Sequence, residues 1–313
     1  MSKLWAITPY FNPAGFSRRE ENYRIFRENL SLPQAAIELS FDGRFHLKPS
    51  DADLLIQVTS EDVMWHKESL LNRLIRELPQ ECEAVCWIDC DVVFEVKDLA
   101  ERVLETLRQY SWVQMYDHRF NLKQDETLED VFGKRSSFDA GRYVPSVSYR
   151  RVTGSGSEED FRNTDSPIIQ KSTIGLAWAS SREVLDKHGL YDGSILGGAD
   201  RAMACAALGR FEFAEEALLM SPIRMRHFLQ WAQPFYETIQ GAIGYVPGDV
   251  YHLWHGEYHN RQYNERQEIL NRHDFDPGLD IRRNHEGLLE WSTGKSEMHN
   301  EVADYFVSRK EDG

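Results

Sequence analysis

Asp89 and Asp91, one residue apart in the run WIDCDVVF, close a short apolar segment, residues 84–88 (AVCWI). A run of that length and composition reads as a buried strand, and in open α/β sheets ligands gather beyond the carboxyl ends of the strands. Two acids placed there can reach a hard divalent cation and, through it, a diphosphate whose charge the metal neutralises as a bond breaks. The spacing alone is commonplace and equally describes a solvated strand end. Asp200 stands at the start of a helix read over residues 200–208, directly after Gly197 and Gly198. The glycines allow a sharp turn where a Cβ would collide, and an Asp at a helix start can cap it by accepting from the Ala202 and Met203 amides. His252 and His255 lie three residues apart in YHLWHG. Each is either a ligand or a hydrogen-bonded core histidine.

The elements that position these residues follow from periodicity. Residues 4–8 (LWAIT) form a first strand ended by Pro9, and Ser17 with Glu20 makes a capping box for a helix over residues 18–30. Strands at residues 35–39 and 54–58 precede a helix over residues 64–78 that carries Lys67 and Asn72. These two are five apart and do not share a helical face neatly, and Lys67 is equally a solvated surface charge. A helix at residues 97–110 and a strand at 112–115 follow. Strands alternating with helices imply a mostly parallel central sheet covered by helices on both faces. Residues 117–167 lose all regularity and read as an irregular insertion, an acceptor-side loop or a plain surface excursion. Beyond it come a strand at residues 175–179, a helix capped by Ser181 and ending near His188-Gly189, a strand at 250–254 and a charged helix at 257–271. One large domain over residues 1–277 and a polar tail over 278–313 are expected.

Composition bounds the class. The chain has 313 residues and a net charge of −15, which opposes general affinity for a polyanion. Local basic clusters, Arg224-Met225-Arg226-His227 and Arg150-Arg151, leave room for a basic acceptor groove or for ordinary salt-bridged surface. Hydrophobic residues at 41% exclude global disorder. Four cysteines (Cys82, Cys86, Cys90 and Cys205) are too few for a disulfide framework and lack zinc-site spacing, so they read as reduced packing residues. No stretch approaches the ~20 apolar residues of a membrane span, and a cytoplasmic context is expected, in a bacterial or phage-infected host cell.

WIDCDVVF and, about ninety residues on, IGLAWASSREVLDKHGLYDGSILGGADRAM resemble the Asp-x-Asp and Gly-Gly-x-Asp regions of GT-A fold glycosyltransferases, of the galactosyltransferase and chondroitin-polymerase type. The resemblance implies the GT-A fold, a nucleotide-diphospho-sugar transferase α/β sheet. It makes Asp200 the catalytic acid of the Gly-Gly-x-Asp turn and places Gly197 and Gly198 beside the donor sugar. Asp89 and Asp91 become ligands of a cation, Mn2+ or Mg2+. YHLWHG resembles the C-terminal histidine segment that adds a further metal ligand, with His255 favoured because it adjoins Gly256 and His252 next. Lys67 and Asn72 resemble the Lys-x-x-x-Leu-Asn helix whose basic and amide groups approach the nucleotide. Thr8, Pro9, Tyr10 and Phe11 fall where the family holds the uridine of the donor, although an aromatic there also caps a core. Trp178 and Trp254 are sugar platforms or core.

The expected reaction is metal-dependent transfer from a UDP-sugar to a hydroxyl of a glycan or of a phage hydroxymethylated DNA base. Asp200 acts as general base with inversion. A retaining GT-A transferase is the alternative, as is a nucleotidyltransferase on a related sheet. The latter needs a glycine-rich loop bearing lysine after the first strand, and residues 8–17 hold only Gly15 and no lysine. A non-catalytic binding module is opposed by the intact Asp89, Asp91 and Asp200.

Overall fold

The computed structural model describes residues 2–132, 141–161 and 171–313. The chain opens with β1 (Leu4–Phe11), α1 (Ser17–Asn29), β2 (Gln34–Ser40), β3 (Leu54–Thr59), α2 (Lys67–Glu77) and β4 (Ala84–Ile88). Next come β5 (Val92–Phe94), α3 (Leu99–Leu107), β6 (Trp112–Gln114), β7 (His118–Asn121), α4 (Leu128–Val131), β8 (Tyr143–Pro145) and α5 (Val147–Val152). The third part holds β9 (Ala177–Ser181), α6 (Arg182–His188), α7 (Ala199–Ala207), α8 (Phe211–Ala217) and α9 (Pro222–Ile239). The chain closes with β10 (Ile243–Tyr245), β11 (Asp249–His252), α10 (Glu265–Arg272), β12 (Ile281–Arg283), β13 (Leu289–Trp291) and α11 (Ser296–Ser308).

Seven strands form the central sheet in the order β10-β6-β9-β4-β1-β2-β3. It is mostly parallel: only β9 runs against its neighbours β4 and β6. Strand alternation divides the core in two. On β4, Val85 and Trp87 face a cluster holding Leu70, Leu74, Met203, Phe228 and Phe306, from α2, α7, α9 and α11. Ala84, Cys86 and Ile88 face the other side, against Phe26 of α1 and Leu99 and Val103 of α3. Both faces are covered, which is why these strands read as unbroken apolar runs. Cys82, Cys86 and Cys205 are free and buried in this packing.

Several expectations are corrected. Strand β1 continues through Pro9 to Phe11. Ala6 donates to Pro33 on the β2 side, so by alternation the missing N–H of Pro9 faces β4, whose pairing with β1 stops at Ile7. The capping box of Ser17 does not form. Ser17 is the first helical residue, and its amide and that of Arg18 donate to the Asp312 carboxylate at 3.1 and 2.8 Å. The irregular stretch contains β7, β8 and α5, with its residues 133–140 and 162–167 lying outside the described ones. Residues 278–313 are not a loose polar tail: β12 and β13 pair, and α11 buries Met298, Val302, Tyr305 and Phe306 in the main core. Its apolar residues recur at 3–4 spacing among charges, a pattern that composition averages away. The charged helix expected at 257–271 is a 3₁₀ turn, Tyr258–Arg261, then α10, with Gln262 between them at φ +47°.

Candidate functional site

A second sheet, β5-β11-β7-β8, supplies half of the site. Antiparallel pairing sets His252 opposite Val92, and the Leu253 amide donates to the Asp91 carbonyl at 2.7 Å. Parallel pairing sets Asn121 beside His252 on the other flank, where Nδ1 of His252 donates to Oδ1 of Asn121 at 3.0 Å. That bond leaves the lone pair of Nε2 pointing inward. His255 turns back toward the same point: its Nε2 lies 3.3 Å from Oδ2 of Asp91 and 3.2 Å from Nε2 of His252. Nε2 of His252 stands 3.7 Å from Oδ1 of Asp91, beyond hydrogen-bond reach, and that oxygen is buried without a hydrogen-bond partner among the described residues.

A carboxylate oxygen and one nitrogen of each imidazole thus lie within 4.8 Å of one another, and Nε2 of His255 also accepts from Arg261 at 2.9 Å. The donor set and its orphaned oxygen suit a divalent cation. Burial pushes His252 down to about 3 and also lowers His255, so both rings stay neutral and able to ligate.

The central sheet supplies the other half. Asp89 follows the end of β4, and its amide donates to the carbonyl of Leu176 at 2.8 Å. Leu176 holds φ +82°, a left-handed conformation that a leucine rarely adopts, stored here beside the cavity. Lys67, 6% exposed at the first residue of α2, reaches Oδ1 of Asp89 at 2.6 Å and Oδ2 of Asp200 at 2.8 Å. Burial works to lower Lys67, but Asp200 and Asp89 raise it well above its ordinary value, so it is a fixed cation. Burial pushes Asp89 up to about 6 against the pull of Lys67. Asp89 therefore belongs to the lysine and is not part of the Asp91–His252–His255 cluster.

Asp200 does not cap its helix. Gly198 at φ +95° occupies the cap position, and its carbonyl takes the Ala202 amide at 3.1 Å. A Cβ on Gly198 would lie 2.5 Å from Leu218, and one on Gly175 3.3 Å from Oδ2 of Asp200. Gly198 needs glycine for its backbone conformation and close approach, and a Cβ at Gly175 would press on Asp200. With Oδ2 of Asp200 on Lys67, its Oδ1 is buried and has no hydrogen-bond partner among the described residues.

Both halves open into one cavity of about 200 Å³. It joins Pro9, Phe11, Lys67, Asp89, Asp91, Gly197, Gly198, Asp200, His252 and His255. Three expected residues stay apart. Thr8 is fully buried, and Tyr10 packs edge-on against Tyr23. Asn72 clamps the backbone of Leu190, accepting from its amide at 2.7 Å and donating to its carbonyl at 2.8 Å. Trp178 is core, 1% exposed. The basic clusters read from sequence are structural: Arg224 is buried on Gln267, and Arg150 pairs with Asp160.

The cavity's cations come from elsewhere. Arg19, Arg119, Arg201, Arg261, Arg266 and Arg309 line it, with Trp65, Tyr258 and Tyr263. Burial opposes ionisation of Tyr263, but Arg261, Arg266 and Arg119 bring its hydroxyl down to about 8. YHNRQYNER, beginning three residues after His255, alternates aromatic and basic residues and is the one sequence signal for this wall. Nothing local marks Arg19, Arg119 or Arg309.

No family model matches the chain, and no curated protein matches it. Among solved structures it is similar to S. aureus TarS residues 1–349, with 10% identity over 98% of this chain and 71% of that chain, at a TM-score of 0.40. It is also similar to glucosyl-3-phosphoglycerate synthase from Mycobacterium tuberculosis in complex with Mn2+, uridine diphosphate and phosphoglyceric acid (12% identity, 80% and 70% coverage, TM-score 0.35). A mycobacterial protein matches at 12% identity over 93% and 83%, with a TM-score of 0.40.

Proposed function

We propose that the chain is a metal-dependent glycosyltransferase of the GT-A type that moves a sugar from a UDP-sugar to a hydroxyl acceptor. The observation that carries this reading is the meeting, in one arginine-lined cavity, of the Asp91–His252–His255 donor set and an Asp200 carboxylate with one oxygen unengaged. Asp91, His252 and His255 would hold a divalent cation, which would supply Lewis-acid stabilisation to the diphosphate leaving group. Arg261 and Arg266, on the wall beyond His255, present guanidinium groups suited to phosphate oxygens. Phe11 and Trp65, packed edge-to-face with centroids 5.6 Å apart, border the same space and offer apolar surface to the base.

Oδ1 of Asp200 takes the proton of the acceptor hydroxyl as that oxygen attacks the anomeric carbon. The bond from the anomeric carbon to the diphosphate breaks, and its electron pair leaves with UDP. Lys67 orients Asp200 through Oδ2. Attack opposite the leaving group inverts the anomeric configuration. The acceptor is a glycan hydroxyl or a hydroxymethylated DNA base.

The test is UDP release across a panel of UDP-sugars with Mn2+, for wild type and Asp91→Ala. Release with one sugar, lost in the variant, is expected; product analysis with glycan and hydroxymethylated DNA acceptors then assigns the acceptor. Silence across the panel together with no UDP binding by calorimetry overturns the reading.

A further inference from the structure

Three consecutive carbonyls in the cavity wall are held from behind. Thr173, Ile174, Gly175 and Leu176 line the cavity just before β9, whereas Gln114 and Tyr116, both fully buried, lie behind them and are not among its lining residues. Nε2 of Gln114 shares its two hydrogens among the Thr173 and Ile174 carbonyls, at 3.0 and 3.2 Å, and the Tyr116 hydroxyl at 2.8 Å. That hydroxyl donates to the Gly175 carbonyl at 2.7 Å. The indole N–H of Trp178 adds a bond to the Ile174 carbonyl at 2.6 Å, and the Ser148 amide, donating to Oε1 of Gln114 at 3.2 Å, fixes which way the Gln114 amide points. In a trans peptide the C=O of one residue and the N–H of the next point in opposite directions. With the carbonyls of residues 173–175 turned into this buried network, the N–H groups of Ile174, Gly175 and Leu176 turn toward the cavity, and they meet no acceptor among the described residues.

We propose that the Ile174, Gly175 and Leu176 amides receive the hydroxyl groups of the transferred sugar, and that Gln114 and Tyr116 are the positioning residues that aim them. The inference rests on the proposed function and deepens it. A Cβ on Gly175 would lie 3.3 Å from Oδ2 of Asp200, so the amides border the carboxylate at which the sugar is attacked, while the diphosphate belongs to the cation site and to Arg261 and Arg266. A second anion is disfavoured beside Asp89 and Asp200. A hydroxyl suits the place, because it accepts from an amide through its lone pairs and keeps a proton to give to a carboxylate. Backbone donors held from behind by a buried network are already aimed before the ligand arrives, which saves the cost of ordering them on binding. They also discriminate, since a sugar without the matching hydroxyl leaves an amide unpaired.

The first readout uses the full-length wild type. Protein labelled with carbonyl-carbon-13 isoleucine and nitrogen-15 glycine shows by NMR the amides of Gly175 and Gly244, the two glycines that follow an isoleucine, and Ile243→Val removes the second. With Mg2+ and no acceptor, UDP, UDP-glucose, UDP-galactose and UDP-N-acetylglucosamine are titrated in turn. The Gly175 amide proton is expected to move downfield with at least one of the sugars and not with UDP alone; the same position with UDP and with every UDP-sugar overturns the proposal. The second readout is calorimetry of Tyr116→Phe, which removes the hydroxyl that holds the Gly175 carbonyl. Affinity for the UDP-sugar that moves Gly175 is expected to fall about 3–10-fold while UDP stays within about twofold. An equal loss for both ligands, which a merely structural role would give, or no loss for either, overturns the positioning role, and the NMR readout stands if the variant fails to fold. Absence of UDP binding breaks the transferase reading and this one with it, whereas UDP binding with a silent Gly175 breaks this one alone.

Discussion

Asp89 and Asp91 are separated by a single residue, and their surroundings are opposite. Asp89 sits at the end of the central sheet, already neutralised by Lys67, which it shares with Asp200. Asp91 faces two neutral imidazoles instead of a lysine, and one of its oxygens is unsatisfied among the described residues. The first half of the cavity is a triad in which one ammonium bridges two carboxylates and so fixes their positions. The second gathers a carboxylate and two imidazoles whose nearest cation is Arg261, on Nε2 of His255 at 2.9 Å. A buried group left unsatisfied costs about 1–3 kcal/mol, so the imbalance marks where the fold leaves room for a ligand. Acids this close in sequence need not share a role, because the strand end sets one on the lysine that holds Asp200 and the next on the two histidines.

The contrast between the halves breaks most directly at Asp200. Asp200→Asn keeps the shape but removes the proton acceptor, and transfer is expected to fall about 10²–10⁴-fold. UDP affinity with Mn2+ should stay within a few-fold, and a parallel collapse of UDP binding would remove the base assignment. Lys67→Met attacks the lysine-bridged half. It leaves the half-buried Asp89 and Asp200 without their shared cation, for an expected loss of about 1–3 kcal/mol in urea unfolding. An unchanged unfolding midpoint would mean that the triad is not what holds this half together.

A third test is the acid sensitivity of the metal-free protein. Burial holds His252 down to about 3 and, against the pull of the Asp62 carbonyl, His66 down to about 4. The unfolded chain takes up those protons near 6.5 and the folded one does not. Their stabilising effect is therefore complete above about pH 6.5 and is lost as pH falls through the folded values. Stability should drop by about 1.4 kcal/mol per pH unit for each histidine in that window. In His66→Gln the fall between pH 6.5 and 4.5 should be visibly shallower than in wild type, and an identical slope would place the acid sensitivity elsewhere.

Much of the fold was legible because local patterns and tertiary demands agreed. β4 runs over the expected residues 84–88, and Ser181 caps α6 by accepting from the Val184 amide at 3.3 Å. Legibility failed where the partner is remote. Ser17 and Glu20 form a good capping box on paper, but Asp312 arrives from the other end of the chain and takes those amides. Lys67 and Asn72 read as a pair from one helix, yet only Lys67, on the first turn, reaches the cavity, while Asn72 faces the turn after α6. The sequence favoured His255 over His252, and the structure brings both to Asp91.

The sequence by itself determined six of the seven central strands, the carboxylates at the end of β4, the glycine turn before Asp200 and the candidate imidazoles. Each of these is written in a short window, as an apolar run, a glycine pair or a spacing of three, and the local backbone follows from it. Tertiary structure alone decided which acid holds the lysine and which faces the histidines, because that depends on the register of β5 and β11, more than 150 residues apart. It also decided that six arginines from scattered positions line a cavity in a chain of net charge −15. Charge sums over the whole surface, but a ligand meets only the side chains that folding gathers within a few ångströms, and no window of sequence records that gathering.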